Sequence, residues 1–589
     1  MQSMTKVVIA LAVLLPVSVG AGEHVVLTPP PGTVVAVGQH FDVRAAVPGV
    51  SDVRWEVTLG EELLTSGEAP EGVFVRRQVA LPKSGRFRLA AVAKGADGRV
   101  RASAERSIEV REWRGTGRAK NVILLIADGM GHASRTAARL ALHGLAGGKP
   151  AGWLAMDTLP IEGVLATSSL SGVVTDSAAA GHALATGTKT ANGMLGVWPD
   201  ETSEDGDDNP RVEQLPRLLW RSRGMVTGVV STADVTDATP AAFVAAVADR
   251  REATGVVQAY RRAVGEGYLH VLLGGGARRL MPAGQLPGEF TAAGHRLVRT
   301  AAELETARRE GATKIVGVFH AANMNTEFDR QRRGDPNVSK DFPEQPSLEE
   351  MTRAALAALA RHPNGFFLMV EGALVDKQAH SGDQERVVWE VLAFDRAVAA
   401  ALEFARATNT DRVAGNDTLV IVTSDHETGG AVLPGIVATG CRGSRDCLLI
   451  YDAGGYPTVA DADGDGFPDV VDGERKAVIH FAAGPDRWED WLAQPRPEPL
   501  ALGRVGRDLF VIPNPARDGG SGVLLGGITP TSVPERGYAA TQAVHTAVDV
   551  PLAAYGPGAE ALAGARDNTE VFFAILQAVG GGVQKPKRR

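Results

Sequence analysis

Asn121-Val-Ile-Leu-Leu-Ile-Ala-Asp128 is an apolar run that stops on a carboxylate, and its reading decides the fold. Two other segments repeat the pattern, Phe366 to Val370 before Glu371 and Leu419 to Val422 before Asp425 and His426. Each reads as a strand. In open α/β sheets ligands collect outside the carboxyl ends of the strands. Three strands finishing in carboxylates and a histidine therefore bring oxygen and nitrogen donors into one crevice, which is the outline of a metal-dependent active site.

Between the first two of these segments, Gly163 to Thr167 reads as a strand, and Thr175, Asp176 and Ser177 precede the small-residue, helix-like run Ala178 to Ala185. Ser177 then sits at a helix N-terminus, where unpaired N–H groups and the positive end of the dipole favour an anionic oxygen. A nearby divalent cation would help to deprotonate it. By itself the tripeptide is an ordinary helix cap; the surrounding strands make Ser177 a candidate nucleophile. Asp376 and His380 are four residues apart, which on a helix puts both on one face, able to clamp one ion or simply to face solvent. Arg250, beside Arg251 and after an alanine- and valine-rich stretch that reads as a helix, is on its own a surface charge, and Lys377 is equally ambiguous.

Taken together, the motifs resemble the alkaline phosphatases, in particular the bacterial type with an aspartate and a lysine beside the metals. The match runs from about Lys120 to Ala578 through Ala127-Asp-Gly-Met-Gly131, Thr175-Asp-Ser-Ala-Ala179, Asp237-Ala-Thr-Pro-Ala241 ending at Arg250, Val370-Glu-Gly372 through Asp376-Lys-Gln-Ala-His380, Thr423-Ser-Asp-His426, and His545-Thr546 followed by Val550 to Gly556. The resemblance implies a three-layer α/β/α sandwich with a central, mainly parallel sheet. It implies a first Zn²⁺ held by Asp376, His380 and His545, and a second by Asp128, Asp425, His426 and the Ser177 oxygen. A Mg²⁺ would be held by Asp128, Thr239 and Glu371, with Asp237 reaching it through water. Mixed His/Asp ligation suits a borderline ion and all-oxygen ligation a hard one. Arg250 becomes the phosphate clamp, because a guanidinium can bond two phosphate oxygens in parallel. Lys377 becomes a residue that touches phosphate through water. The implied activity is hydrolysis of phosphate monoesters through a phosphoserine at Ser177, by an enzyme that is a homodimer in the family.

The rest of the chain suits an exported enzyme with an accessory module. Residues 1–21 carry a lysine, an apolar run from Val7 to Val19 and a small-residue cleavage site, and read as a signal peptide. The mature chain is expected to be periplasmic or secreted without a membrane span. Residues 22–114 alternate apolar and polar positions at Val53 to Leu59, Val73 to Leu81 and Phe87 to Ala93, which reads as an immunoglobulin-like β-sandwich, with Gly115 to Lys120 as linker. Residues 115–589 form the catalytic domain, with an insertion at about 432–531. Within that insertion Cys441 and Cys447, the two cysteines of the chain, are expected to form a local disulfide. Asp461, Asp463, Asp465, the Phe467 carbonyl, Asp469 and Asp472 fit a Ca²⁺ loop, with Asp472 where glutamate is usual. The acidic stretch Glu201 to Asp208 reads as a surface loop and Lys585 to Arg589 as a disordered tail. His132, His182 and His320 lie near motifs but default to packing.

With 589 residues the chain can hold several domains, and its net charge of −8 with scattered lysine and arginine gives no sign of nucleic-acid binding. Ala547 departs from the family pattern, which commonly has glycine after His-Thr. Two other functions are open to such a sequence: a phosphodiesterase sharing the two zinc sites, and a calcium-dependent surface-binding protein with a degraded enzyme domain. The complete ligand set favours the monoesterase.

Overall fold

The computed structural model describes residues 24–69, 72–113, 117–202, 208–280, 285–333, 342–381, 383–411, 415–437 and 543–580, with Gly115, Val413 and five short strands between 459 and 512. The expected signal peptide, disulfide and basic tail lie outside the described residues. So do the Ca²⁺-loop aspartates, although the flanking Val459–Ala460 and Val470–Val471 pair as short antiparallel strands.

A ten-stranded sheet organises the catalytic body. Its strands, in chain order, are β1 (Asn121–Ala127), β2 (Ile161–Ala166), β3 (Val226–Asp234), β4 (Leu269–Gly275), β5 (Arg296–Val298), β6 (Ile315–Val318), β7 (Phe366–Gly372), β8 (Thr418–Thr423), β9 (Val550–Tyr555) and β10 (Gly564–Asp567). They lie in the order β5-β6-β4-β3-β7-β1-β8-β9-β2-β10. β1 is central, paired in parallel with β7 and β8. Its side chains serve two cores: Val122, Leu124 and Ile126 enter one, while Ile123, Leu125 and Ala127 enter the other. An unbroken apolar run suits a strand covered on both faces. The helix α1 (Ser177–Thr186) packs on the first core, through Ala178, Leu184 and Ala185. The long helix α4 (Gln384–Thr410) packs on the second, through Val387, Val391 and Phe394. Three layers result, as the sequence implies.

β9 runs antiparallel to both β8 and β2. Residues just before Val550 therefore lie at the edge where the parallel strands β1, β7 and β8 finish, and this brings His545 back to Asp128, Glu371 and Asp425. The short helices α2 (Ala238–Ala242) and α3 (Leu374–His380) follow β3 and β7 at the same edge.

Ahead of this body, Val26–Thr28, Phe41–Ala46 and Val73–Val79 form one sheet, and Val34–Ala36, Val53–Leu59, Glu62–Ala69, Gly85–Lys94 and Val100–Arg111 form another. Val53, Trp55, Val57 and Leu59 point inward on one strand, as the alternation requires. The front region and the body share one apolar core. Gln39, fully buried, donates to the carbonyl of Thr186 at the end of α1 and to that of Glu213, at 2.9 Å each. Arg44, 2 % exposed, pairs with Glu201 and with Asp208 at 2.5 Å. The ends of the acidic stretch 201–208 are thus not a bland solvated loop. A buried guanidinium needs carboxylate partners, and they supply them.

Glu390, on α4, is 4 % exposed, and its carboxylate accepts from the Glu327 N–H at 2.6 Å. Burial, with the nearby Glu327 charge adding to it, pushes its pKa up to about 8 from 4.5. An unfolded chain ionises this carboxyl at lower pH than the folded one, so folding loses stability as pH rises from about 4.5 to 8 and none of this loss occurs below. Glu390→Gln should therefore leave stability near pH 4 unchanged and raise it at pH 9, read as the denaturation midpoint across that range.

Candidate active site

Asp128 opens the turn that leaves β1. Gly129 there has φ +78°, and a Cβ on it would meet the Asp376 Cα at 2.7 Å, so glycine is needed both for the conformation and for the approach of α3. The turn is pinned to the end of β8 by Gly129 N donating to Asp425 Oδ1 at 3.2 Å and Met130 N to Ser424 Oγ at 3.0 Å.

Two donor clusters result. In the first, Asp376 Oδ1 lies 3.2 Å from His380 Nε2 and 3.5 Å from His545 Nε2, and the two imidazole nitrogens are 3.2 Å apart. The other ring nitrogen of each histidine is committed, His380 Nδ1 donating to the Ala543 carbonyl at 2.7 Å and His545 Nδ1 to that of Thr175 at 2.9 Å. The one-turn spacing of Asp376 and His380 places both on one helix face. His545 arrives on a two-residue strand, His545–Thr546, paired with Glu427–Thr428. In the second cluster, His426 Nε2 lies 3.5 Å from Asp128 Oδ1, 3.3 Å from Asp425 Oδ2 and 3.1 Å from Ser177 Oγ. The ligand atoms of Asp376, His380 and His545, and likewise those of Asp128, Asp425 and His426, are all within 4.8 Å of one another.

Thr428 joins the clusters. Its hydroxyl donates to Asp376 Oδ1 at 2.6 Å and accepts from His426 Nδ1 at 3.2 Å, which leaves the Nε2 lone pair of His426 turned toward Ser177 and the carboxylates. Neither Thr428 nor Glu427 is signalled by the sequence. Glu427 binds the Gly430 and Ala431 N–H groups and the Thr546 hydroxyl, and so holds the strand that carries His545.

Ser177 is the first residue of α1, whose cap is Asp176: Oδ1 accepts from Ala179 N at 3.0 Å. The same carboxylate accepts from Arg250 Nη1 at 3.1 Å, and Asp237 accepts from Arg250 Nη2 at 2.9 Å. Arg250 does not follow a helix, contrary to the expectation. Helix α2 ends at Ala242, and Val247 then pairs with Leu195 while Arg250 N donates to the Gly193 carbonyl at 2.7 Å. Pairing with the 190s segment wins over the helical preference of alanine, and it aims the guanidinium toward Ser177's helix. Lys377 Nζ lies 3.3 Å from Asp376 Oδ2 and 3.5 Å from Asp237 Oδ2. Glu371 takes a short bond from Ser231 Oγ, and Thr239, in the first turn of α2, is 1 % exposed. His182 is wholly buried, its Nδ1 accepting from Gly196 N at 3.0 Å and its Nε2 paired with Thr188, which is a packing role.

The electrostatics call for cations. Burial, reinforced by neighbouring carboxylates, holds Asp128 well above the usual carboxylate range and lifts Asp425 to about 6 and Glu371 to about 8. Burial would also raise Asp237, but Lys377 and Arg250 override it and hold it at about 2. Asp128 Oδ1, Asp425 Oδ2 and Thr239 Oγ1 are buried with no hydrogen-bond partner among the described residues. Unpartnered buried oxygens beside an imidazole lone pair fit bound metal ions.

If Thr428 fixes the ligands as described, Thr428→Val should weaken metal binding by about 10- to 100-fold in chelator competition, while Thr428→Ser keeps affinity within a few-fold. Equal loss in both variants would show that the hydroxyl has no such role.

Comparison with known proteins agrees with the geometry. The alkaline phosphatase family model matches residues 119–446. Alkaline phosphatase H of Pseudomonas aeruginosa is 37% identical over 358 residues, covering 54% of this chain and 71% of that protein. Streptomycin-6-phosphate phosphatase of Streptomyces griseus is 32% identical, over 80% of this chain and 92% of its own. The crystal structure of Thermus thermophilus alkaline phosphatase superposes with a TM-score of 0.52 at 26% identity, covering 80% of this chain and 93% of that one. The chain belongs to the alkaline phosphatase family and is a metal-dependent phosphomonoesterase.

Proposed function

We propose that this chain hydrolyses phosphate monoesters through a covalent phosphoserine at Ser177, with Arg250 clamping the phosphoryl group. The observation that carries the reading is the Ser177 hydroxyl at the start of α1, 3.1 Å from a histidine lone pair and beside unpartnered buried carboxylate oxygens. Asp376, His380 and His545 would hold one Zn²⁺, and Asp128, Asp425 and His426 a second. Asp128, Thr239 and Glu371, with Asp237 behind them, would hold Mg²⁺. Bound there, such ions supply Lewis acidity that favours a serine alkoxide and offsets charge on the transferring group.

The protein's own part is positioning. The Ser177 hydroxyl lies 3.1 Å from His426 Nε2, so its oxygen faces the crevice between the donor clusters. The N-terminal amides of α1 favour negative charge at that oxygen and at the phosphoryl group it attacks. Attack forms the Ser177–phosphorus bond and expels the alcohol; water then cleaves that bond, returning the serine and releasing inorganic phosphate. Two N–H groups of Arg250 go to Asp176 and Asp237. Of the five a guanidinium carries, three are left for phosphate oxygens. Lys377, between Asp376 and Asp237, balances carboxylate charge, and its proposed further role is to touch the phosphate through water.

The front β-region is read as an immunoglobulin-like sandwich, and the insertion as carrying the Cys441–Cys447 disulfide and a structural Ca²⁺ on Asp461, Asp463, Asp465, Asp469 and Asp472. Export to the periplasm or beyond suits that disulfide. Among the described residues no helix is long and apolar enough to cross a membrane. A homodimer is the assembly expected of the family.

Metal-loaded enzyme should show far higher kcat/KM on an aryl phosphate monoester than on the matching diester between pH 7 and about 10; a diester preference would overturn the assignment. Streptomycin 6-phosphate belongs in the substrate panel. Ser177→Ala should lose roughly 10³-fold or more in kcat and leave no acid-stable phosphoprotein after quenching with labelled substrate. Arg250→Ala removes charge-assisted hydrogen bonds worth about 1.5–3 kcal/mol and should lower kcat/KM by about 10- to 100-fold.

A further inference from the structure

Glu371 offers an ion less than its two carboxylate oxygens would allow. It stands near the end of β7 beside Ser231 of β3, its partner in the parallel register. The Ser231 hydroxyl donates to Glu371 Oε2. A serine hydroxyl has one hydrogen and two lone pairs. Ala233 N donates to Ser231 Oγ at 2.8 Å, so a lone pair is engaged from the backbone and the single hydrogen is the one spent on the carboxylate. Ser231 is 0 % and Glu371 1 % exposed, so bulk water does not compete for that bond.

The strand that carries Ser231 also leads to another oxygen of the same site. Thr232 Oγ1 accepts from Ala373 N at 2.9 Å, so β3 and the end of β7 are joined by two side-chain bonds as well as by the strand ladder. Asp237 N then donates to the Asp234 carbonyl at 2.7 Å and closes the turn into α2, where Thr239 Oγ1 is buried without a hydrogen-bond partner among the described residues. Held in this way, the Glu371 carboxylate cannot present both oxygens to an ion without giving up its bond from Ser231. The ion's demands make that restraint consequential. Mg²⁺ takes about six oxygens at about 2.0–2.1 Å and keeps several waters, so single oxygens from a few side chains suit it. Ca²⁺ takes about six to eight oxygens at about 2.3–2.6 Å and readily accepts both oxygens of one carboxylate.

We propose that Ser231 is a positioning residue that holds Glu371 to ligation through one oxygen, and so sets this site for Mg²⁺ over Ca²⁺. This role rests on the reading of Asp128, Thr239 and Glu371 as a Mg²⁺ site. Without the Ser231 hydroxyl, Oε2 is free to join Oε1 on a larger ion. A hydroxyl that only satisfied a buried carboxylate would, on removal, change the affinity for both ions alike. One that restrains the carboxylate changes their ratio.

The ratio of Ca²⁺ to Mg²⁺ dissociation constants, measured by equilibrium dialysis of the Zn²⁺-loaded enzyme, tests this. Glu371→Gln sets the baseline: binding of either ion that survives in it belongs elsewhere and is subtracted. Ser231→Ala should shift the ratio by about 10-fold or more toward Ca²⁺. Ser231→Thr keeps the hydroxyl and should stay within about threefold of the parent. An unchanged ratio in Ser231→Ala, or an equal shift in Ser231→Thr, with Mg²⁺ binding lost in Glu371→Gln, would overturn the role of Ser231 and leave the Mg²⁺ site standing. Mg²⁺ binding untouched by Glu371→Gln would overturn the site itself, and the role of Ser231 with it.

Discussion

Four carboxylates, Asp128, Glu371, Asp376 and Asp425, are each no more than 2 % exposed at one edge of the sheet, and the rest of the structure has to accommodate that crowding. Buried carboxylates cost several kcal/mol each unless paired, and close neighbours repel. Lys377, Arg250 and the histidines offset part of this. The surplus is released in two ways: by protons, as the raised pKa values of Asp425 and Glu371 record, or by divalent cations. The site is therefore a place the fold keeps open for positive charge, and rigid supports hold it open. The strands β1, β7 and β8 are buried throughout, so the carboxylates at their ends cannot swing out to water.

Sheet topology assembles the site with little reliance on long loops. Parallel neighbours put Asp128, Glu371 and Asp425 on one edge, and reversal of β9 returns His545 to that edge. The front β-region adds a further constraint from the opposite end of α1. Gln39 bonds the Thr186 carbonyl at the C-terminal turn, while Ser177 stands at the N-terminal turn of the same ten-residue helix. A helix held at both ends transmits little play to its first residue, so an apparently accessory module contributes to the placing of the candidate nucleophile.

The sequence was most legible where chemistry coincides with regular structure. Apolar runs ending in Asp128, Glu371 and Asp425-His426 are visible because a doubly covered strand must be apolar, and Asp376 with His380 because one helical turn fixes their spacing. His545 could be placed only by resemblance: it lies on a two-residue strand too short to carry a period, and the reversal of β9 that delivers it is a tertiary fact. Thr428 and Glu427 were invisible for a related reason. They act through side-chain bonds to residues 52 and 119 positions away, which no local pattern encodes. The stretch before Arg250 misled because alanine favours helix in isolation, and pairing of Val247 with Leu195 outweighs a preference of a few tenths of a kcal/mol per residue.

Asp176 shows how few groups are needed to register Ser177 with Arg250, the proposed nucleophile and clamp. It caps α1 through Ala179 N, accepts from Gly193 N at 3.1 Å, and bonds Arg250, while the Gly193 carbonyl accepts from the backbone N–H of Arg250. Helix α1, the 190s loop and Arg250 are thus joined through one carboxylate and one glycine. Asp237 holds the guanidinium from the other side and itself caps α2. Both partners of Arg250 are helix caps, so any shift of the clamp would cost a cap as well as an ion pair. A guanidinium fixed at both nitrogens presents its remaining donors in one plane without first having to be ordered, and that preorganisation is what binding a transferring phosphoryl group requires.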